Sequence, residues 1–351
     1  MKHHVAVVGA GLSGLACARA LAQAGVAVTV FEKSRGTGGR APTRWVDRET
    51  TPPVGFDHGT QYFTAQSYDF LAQVLAVERA GAVAPWAGRV VNLSYGVITE
   101  HEITEHETGE PAVAASKWVG VPGMASFCKH LALGLDVQVQ SRVLGLAHGP
   151  QGWALDVQVG QAPLAETSVA GFTHVVLAIP AEQASVLLKH TDPEMAATAA
   201  NVVSGITWTA LVGLAKKTGT AFDAAFVADS PLGWVARDSS KPGRAPGERW
   251  VVHATADWSK IHENSPKDQV AQQLFDLFAN AIHTVQKPDF LSAHRWLYSL
   301  PRNPLGVDFL LSKSLPLSAC GDWLSAPNLE SAYLGGHRLG KHLVAQWCLP
   351  G

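Results

Sequence analysis

No stretch of the sequence approaches the ~18 consecutive apolar residues that a membrane-spanning helix needs. Charge is also sparse and balanced: Asp, Glu, Lys and Arg make up 16% of the residues and the formal net charge is −2. That balance gives neither nucleic acid nor an anionic membrane surface anything to bind. The four cysteines, Cys17, Cys128, Cys320 and Cys348, are scattered and form no CxxC pair. They therefore read as reduced, mostly buried thiols of a cytoplasmic protein, and not as a disulfide or zinc framework. There is no internal repeat and no low-complexity segment. With 351 residues, 47% of them apolar, the chain has material for a large core and roughly two domains.

What is present concentrates at the N-terminus. Val5–Val8 is a short apolar run of buried-strand type. Gly9-Ala10-Gly11-Leu12-Ser13-Gly14 follows directly, and Leu15, Ala18, Leu21 and Ala22 then recur at helical spacing up to Gly25. Val26–Phe31 is a second β-branched run, and it ends in Glu32. This is a β-turn-α-β unit carrying the dinucleotide fingerprint in its proper context. Gly9 permits the turn, Gly11 lets backbone approach a pyrophosphate, and Gly14 lets helix and strand pack closely. The helix N-terminus supplies N–H groups and positive potential. Glu32 is placed to accept adenosine-ribose hydroxyls, and its charge disfavours a 2′-phosphate. Because this loop opens at residue 9, it leaves no room for a signal peptide.

A second glycine-rich turn, Lys33-Ser34-Arg35-Gly36-Thr37-Gly38-Gly39-Arg40, comes next. Consecutive glycines let N–H groups crowd against an anion, and Arg40 adds charge. Near the other end Leu317–Cys320 reads as a strand ending in Gly321-Asp322. Asn328 is placed to cap a helix that starts near Leu329 and contains Glu330. Asp322 suits the hydroxyls of a ribityl-pyrophosphate, and the helix N-terminus suits negative charge on a reduced flavin. The two ends together favour FAD over NAD.

Between them the pattern is mixed. Phe56–Phe63 (FDHGTQYF) combines an acid, a glycine, an amide and Tyr62 in one turn, which suits a cofactor-facing loop. Gln61 there is either a structural amide or a partner of the flavin ring. Helices are expected at Asp69–Ala80, Met124–Leu135, Glu182–Leu188 and Pro266–Ile282. Strands are expected at Val137–Leu146, Trp153–Val159, Phe172–Ile179, Ile206–Leu214 and Arg249–Ala254. HEITEHE (101–107) misses the HExxH zinc spacing, since His106 falls one position late, so it reads as a solvated turn and no metal site is expected. Lys241 and Arg244 lie in a Gly/Pro-rich loop; they are either solvated or the partners of a substrate diphosphate. His253 ends an apolar run, either as a core histidine bonded to backbone or as a donor to a substrate carboxamide or phosphate. Among the eleven tryptophans, Trp234, Trp250, Trp258 and Trp296 fall in the second domain and offer aromatic faces for a flat substrate.

VVGAGLSGLACARAL, Glu32 and RGTGGR together resemble the flavin-containing amine oxidase superfamily. GTQYF from Gly59 on, VAPWAG (83–88), WVGVPGM (118–124) and VLAIPAEQASVLL (176–188) narrow the resemblance to its bacterial renalase-like branch. So do DSPLGWVARDSSKPGR (229–244), WVVHATADWS (250–259), AHRWLYSLP (293–301) and CGDWLSAPNLESAYLGG (320–336). The resemblance implies an α/β fold with two domains. One is a Rossmann-type FAD-binding domain (1–60, 118–180, 301–351), a parallel sheet with helices. The other is an α+β substrate domain with a mixed sheet (61–117, 181–300).

It further implies non-covalent FAD and oxidation of dihydro-NAD(P) isomers, reduced at the 2- or 6-position, to β-NAD(P)+. Dioxygen is the electron acceptor and hydrogen peroxide the product. The implied cofactor contacts are Gly9, Gly11, Ser13, Gly14, Glu32, Lys33, Gly38, Gly39, Arg40, Gly59, Gln61, Val143, Gly321, Asp322, Leu329 and Glu330. Tyr62, Trp234, His253 and Trp296 are the implied catalytic pocket. His58, Thr60 and Gly335 depart from the family pattern, and no lysine of the kind amine oxidases place near flavin N5 is assigned. Alternatives from the sequence are an amine oxidase or other flavin-dependent dehydrogenase, and a non-catalytic flavin-binding regulator.

Overall fold

The computed structural model describes residues 3–47, 49–50, 52–101, 116–160 and 165–348. The chain folds as two compact, discontinuous units: 1–39, 127–204 and 300–351 form the first, and 40–126 with 205–299 the second. Residues 40–60 and 118–126, expected in the FAD-binding domain, fall in the second unit, and residues 181–204, expected in the substrate domain, in the first.

The first unit is built on a six-stranded sheet. Its order is Phe309–Leu311, Leu317–Cys320, His174–Leu177, His4–Val8, Ala27–Phe31, Asp136–Gln138. All neighbours are parallel except the antiparallel edge strand Phe309–Leu311. Val7 sits between Val30 and Val176, fully buried, as expected of a parallel strand covered on both faces. Helix Leu12–Gln23 returns the chain between the first two strands. It packs against the long C-terminal helix Leu329–Cys348 through small residues. A Cβ on Gly336 would strike the Ser13 carbonyl, and one on Gly340 would lie 2.8 Å from the Cys17 carbonyl.

The expected strand Val137–Leu146 is two strands. Asp136–Gln138 joins the parallel sheet, and Gln140 then takes a left-handed φ of 54°. The chain turns there into Ser141–Gly149, which pairs with Gly152–Val159 and with a third strand, Ala165–Phe172, that the sequence did not announce. A reversal at a non-glycine residue carries no compositional signal, which is why the break was not legible. Trp153, Leu155 and Val157 of this small sheet share one core with Phe31, Leu177 and Met195.

The second unit has a seven-stranded mixed sheet. Its order is Phe290–Trp296, Thr207–Leu214, Glu248–Ala254, Leu232–Arg237, Ala224–Ala228, Val90–Ser94, Val97–Glu100. Only the pair Ala224–Ala228 and Val90–Ser94 is parallel. Alternation decides the faces. Trp208, Ala210, Val212, Val235, Trp250 and Val252 pack against Val270, Leu274, Phe275 and Phe278 of helix Lys267–Ala281. Leu211 and Val251, which alternate with them, contact Phe56 on the opposite face. That opposite face carries the site.

Cys17, Cys128 and Cys320 are buried free thiols and Cys348 is an exposed one. Among the described residues no helix is long and apolar enough to cross a membrane. No group of three or more His, Cys, Asp or Glu among them could hold a metal ion. Residues 102–110, most of the HEITEHE stretch and its acidic flank, lie outside the described residues.

Candidate active site

In the first unit the fingerprint glycines behave as their spacing demands. Gly9 leaves the first strand at φ 109°, a conformation that an L side chain resists, and its N–H donates to the Phe31 carbonyl at 2.8 Å. A Cβ on Gly14 would collide with the Gly9 carbonyl and lie 2.9 Å from the Ala178 methyl. The second cluster folds back on the first. Gly39, at φ 54°, would bring a Cβ to 3.1 Å from the Gly11 Cα, and the Gly38 N–H donates to the Ala10 carbonyl at 3.1 Å.

Gly11 caps helix Leu12–Gln23 with no side-chain hydrogen bond, and its first turn holds no acid. The N–H groups at that terminus are left for an anion to satisfy. Glu32 is buried beside them. One carboxylate oxygen accepts the Ala10 N–H at 2.9 Å, and the other accepts the Ser34 N–H at 2.7 Å. A carboxylate has lone pairs beyond those two bonds for ribose hydroxyls.

The Ser141 N–H donates to the Glu32 carbonyl at 2.8 Å, which sets Val143 two residues from that contact, just before a bulge at Gly145. Ser13 is buried in the helix's first turn, and the Lys33 ammonium donates to Gln183 at 3.2 Å. Asp322 is buried just after the strand Leu317–Cys320. Asn328 does cap the last helix, accepting the Ser331 N–H at 2.8 Å, with Leu329 and Glu330 opening it.

Arg40, Gly59 and Gln61 belong to the second unit. Arg40 donates to the Ser299 carbonyl at 3.1 Å, and its own carbonyl accepts the Thr60 N–H at 3.0 Å. Gly59 is pressed against that same carbonyl, where a Cβ would clash. The Gln61 side chain is turned into its own loop. Its amide donates to the carbonyls of Asp57 and, at 3.0 Å, Gly59, and its nitrogen stands 3.5 Å from His253 Nε2.

The second sheet's other face lies close to the four residues that the sequence singles out for a pocket. Register places His294, Thr209, His253, Trp234 and Phe226 side by side across five strands, so all five point to one face. Trp296 follows two residues after His294 on the edge strand, and its indole N–H donates to the His58 carbonyl at 2.9 Å. The Tyr62 ring lies 5.8 Å from Trp234 and 6.0 Å from Trp86. Phe226 meets Trp234 edge-on at 4.6 Å. Trp250, by contrast, is on the other face in the helix-covered core, because it precedes His253 by an odd number of residues.

Three histidines near this face are held uncharged. Burial and then the neighbouring His294 push His58 down to about 3. Burial and then the Lys241 ammonium push His253 down to about 4, and burial with Arg44 and Lys267 does the same for His294. Burial raises Tyr62.

Lys241 and Arg244 are not solvated and are not free for a diphosphate. Both are buried. Lys241 Nζ contacts Asp238 at 2.7 Å, Asp57 at 3.2 Å and the Gln61 oxygen at 3.3 Å. Arg244 pairs with Asp57 and donates to the Gly120 and Pro242 carbonyls at 2.8 Å each. Burial works to raise Asp57, but Arg244, Lys241 and the Met124 N–H outweigh it and hold the carboxyl down at about 2. Asp238 goes the other way, raised by burial against the pull of Lys241. Sequence reasoning missed this four-membered network, together with Thr209 and His294. A Gly/Pro-rich loop with two cations reads the same whether it is solvated or paired with acids far away in sequence.

Residues 86–323 match the family described as flavin containing amine oxidoreductase, and residues 7–76 match an NAD(P)-binding Rossmann-like domain. The first of these matches takes in about two-thirds of the chain. The chain belongs to the flavin containing amine oxidoreductase family.

It is accordingly a FAD-dependent oxidoreductase. The chain is similar over 99% of its length to cyclohexylamine oxidase from Brevibacterium oxydans IH-35A, with 13% identity, 100% of that chain covered and a TM-score of 0.71. A triple mutant of putrescine oxidase is similar at 15% identity, covering 98% of this chain and 99% of that one, with a TM-score of 0.67. At such identities the likeness is one of fold. A curated relative is the tRNA 5-methylaminomethyl-2-thiouridine biosynthesis bifunctional protein MnmC of Magnetococcus marinus. It is 28% identical over 180 residues, which are 43% of this chain and 26% of that protein.

The residues present fit FAD. The uncapped helix start at Gly11 suits its pyrophosphate, and the apposed glycines 11 and 39 leave room that a Cβ would fill. His58 stacks on Trp296 at 5.2 Å, Thr60 donates to the Arg40 carbonyl, and Gly335 abuts the Asp308 carbonyl.

Proposed function

We propose that this protein oxidises dihydro-NAD(P) isomers, reduced at the 2- or 6-position of the nicotinamide, to β-NAD(P)+, and does so in the cytoplasm. The first unit serves FAD and the second takes the substrate. The supporting observation is the row His253–Trp234–Phe226, flanked by Tyr62, on the open sheet face. A flat dihydropyridine is matched by aromatic faces, and its carboxamide by neutral hydrogen-bonding groups. Hydride donation asks little acid–base help of the protein, and this face offers little: Asp57 and Asp238 are both tied to cations.

FAD, held by the first unit, would supply the acceptor for the hydride, with dioxygen as the final electron acceptor and hydrogen peroxide as the product. Tyr62 and Trp234 hold the donor ring flat and exclude water. His253, uncharged, walls the pocket without placing a positive charge beside a carbon that is itself becoming cationic. Trp296 fixes the His58 carbonyl and thereby the loop that carries Tyr62.

The second reading is oxidation of a small amine, favoured by the fold shared with cyclohexylamine and putrescine oxidases. Anaerobic mixing separates the two readings. The 2- and 6-dihydro isomers should bleach the visible flavin band within a turnover, with cyclohexylamine and putrescine inert. Bleaching by the amines and none by the isomers would overturn the first reading in favour of the second.

A further inference from the structure

Lys241 is buried and faces Gln61 and two carboxylates, not open surface. A lysine ammonium can only donate hydrogen bonds. Its 3.3 Å contact therefore fixes the Gln61 oxygen on the Lys241 side. The Gln61 NH2 is held on the other side by two acceptors, the carbonyls of Asp57 and Gly59. The amide cannot turn over without setting NH2 against ammonium and oxygen against two carbonyls. What faces His253 Nε2, 3.5 Å away, is thus an NH2 group. An imidazolium N–H pointing there would meet another donor, whereas a lone pair is tolerated.

We infer that Lys241 is a positioning residue acting through Gln61, which fixes His253 as an uncharged ring with its lone pair on Nε2. The inference rests on the proposed role of His253 as an uncharged wall of the pocket and says what keeps it so. The groups facing the ring give a net bias the same way. Lys241 approaches from its loop, and His294 stands beyond Thr209 in the same cross-strand row. The His58 backbone, hydrogen-bonded to the ring, acts in the opposite sense and is outweighed. Trp234 on the other neighbouring strand brings no charge. Asp57 and Asp238 would favour an imidazolium, but Lys241 and Arg244 stand paired with them. Burial and the Lys241 charge both depress the ring's proton affinity.

The test reads the ring directly in the FAD-loaded full chain, by nitrogen NMR of 15N-histidine protein, with His253 assigned from the His253→Gln spectrum. No substrate enters, so failure here is distinct from failure of the proposed reaction. At pH 7 His253 Nε2 should show the shift of an unprotonated nitrogen and keep it down to about pH 5. Lys241→Met should raise the titration midpoint by at least one unit, a tenfold gain in proton affinity. Gln61→Glu, which puts a carboxylate oxygen in place of the NH2 that faces the ring, should raise it further. A purely structural lysine would leave the midpoint of a folded variant unmoved. A protonated Nε2 at pH 7 in the unaltered protein, or an unchanged midpoint in either folded variant, would overturn the inference. If Lys241→Met does not fold, the Nε2 shift and the Gln61→Glu midpoint still decide it.

Discussion

Asp57→Asn probes the buried network most severely. The Asp57 carboxylate is fully buried; one oxygen takes Lys241 at 3.2 Å and Arg244, and the other takes the Thr43 hydroxyl at 2.7 Å and the Met124 N–H at 3.0 Å. Asparagine keeps the shape. It retains one oxygen for Thr43 and Met124 but turns an NH2 toward two cations, leaving Lys241 and Arg244 with Asp238 alone. Removing one partner of a buried pair costs roughly 3–5 kcal/mol. In a unit of about 180 residues, 1 kcal/mol shifts Tm by roughly 2–4 °C, so Tm should fall by about 6–20 °C.

The pH dependence gives a second signature. Asp57 is held at about 2 when folded, against about 3.9 unfolded, so its contribution is present above about pH 4 and lost as pH falls through about 2. At ~1.4 kcal/mol per unit this is about 2–3 kcal/mol. Asp238, raised by burial, acts in the opposite sense: its contribution is present at low pH and lost as pH rises through its folded value. The measured acid limb is therefore the Asp57 loss reduced by the Asp238 gain, and Asp57→Asn should flatten it. Circular-dichroism melts of FAD-saturated protein at pH 7 and from pH 5 to 2 measure both effects. A variant melting within about 2 °C of the parent with an unchanged acid limb would refute the network's role.

Glu32→Ala should remove two charge-assisted bonds from the Ala10 and Ser34 N–H groups as well as the proposed contact to the FAD ribose. At roughly 1.5–3 kcal/mol for such a bond, FAD affinity should fall at least about tenfold, read from flavin fluorescence released on dilution. Asn328→Ala removes the cap of the last helix and should cost about 1 kcal/mol, a Tm loss of roughly 2–4 °C by calorimetry, with the flavin spectrum unchanged.

The parts that were legible are those whose chemistry is local in the chain. Gly9, Gly14 and Glu32 declared themselves because strand, turn, helix and acid follow one another within one βαβ unit, and the glycines sit where a Cβ would collide. Asn328 was legible for the same reason, since a cap acts within one turn. His253 and Trp234 were picked from composition and resemblance, but that they are cross-strand neighbours depends on a register interrupted by a bulge after Leu232. Gly233 sits at that bulge, but a glycine in a strand does not say which residues will then pair. Lys241 and Arg244 were misread because their counter-ion Asp57 lies more than 180 positions earlier.

The sequence by itself determined an α/β fold with a Rossmann-like dinucleotide unit, a FAD-dependent oxidoreductase, and the cap of the last helix. Backbone conformation and capping are short-range matters, and residue type alone settles them. Only the tertiary structure decided which side of each strand faces the site, that the Gln61 amide serves its own loop, and that two acids and two bases form a closed buried network. Those outcomes depend on which distant side chains meet away from water. A charge in a loop carries no mark of whether it will be solvated or paired until the fold removes the solvent.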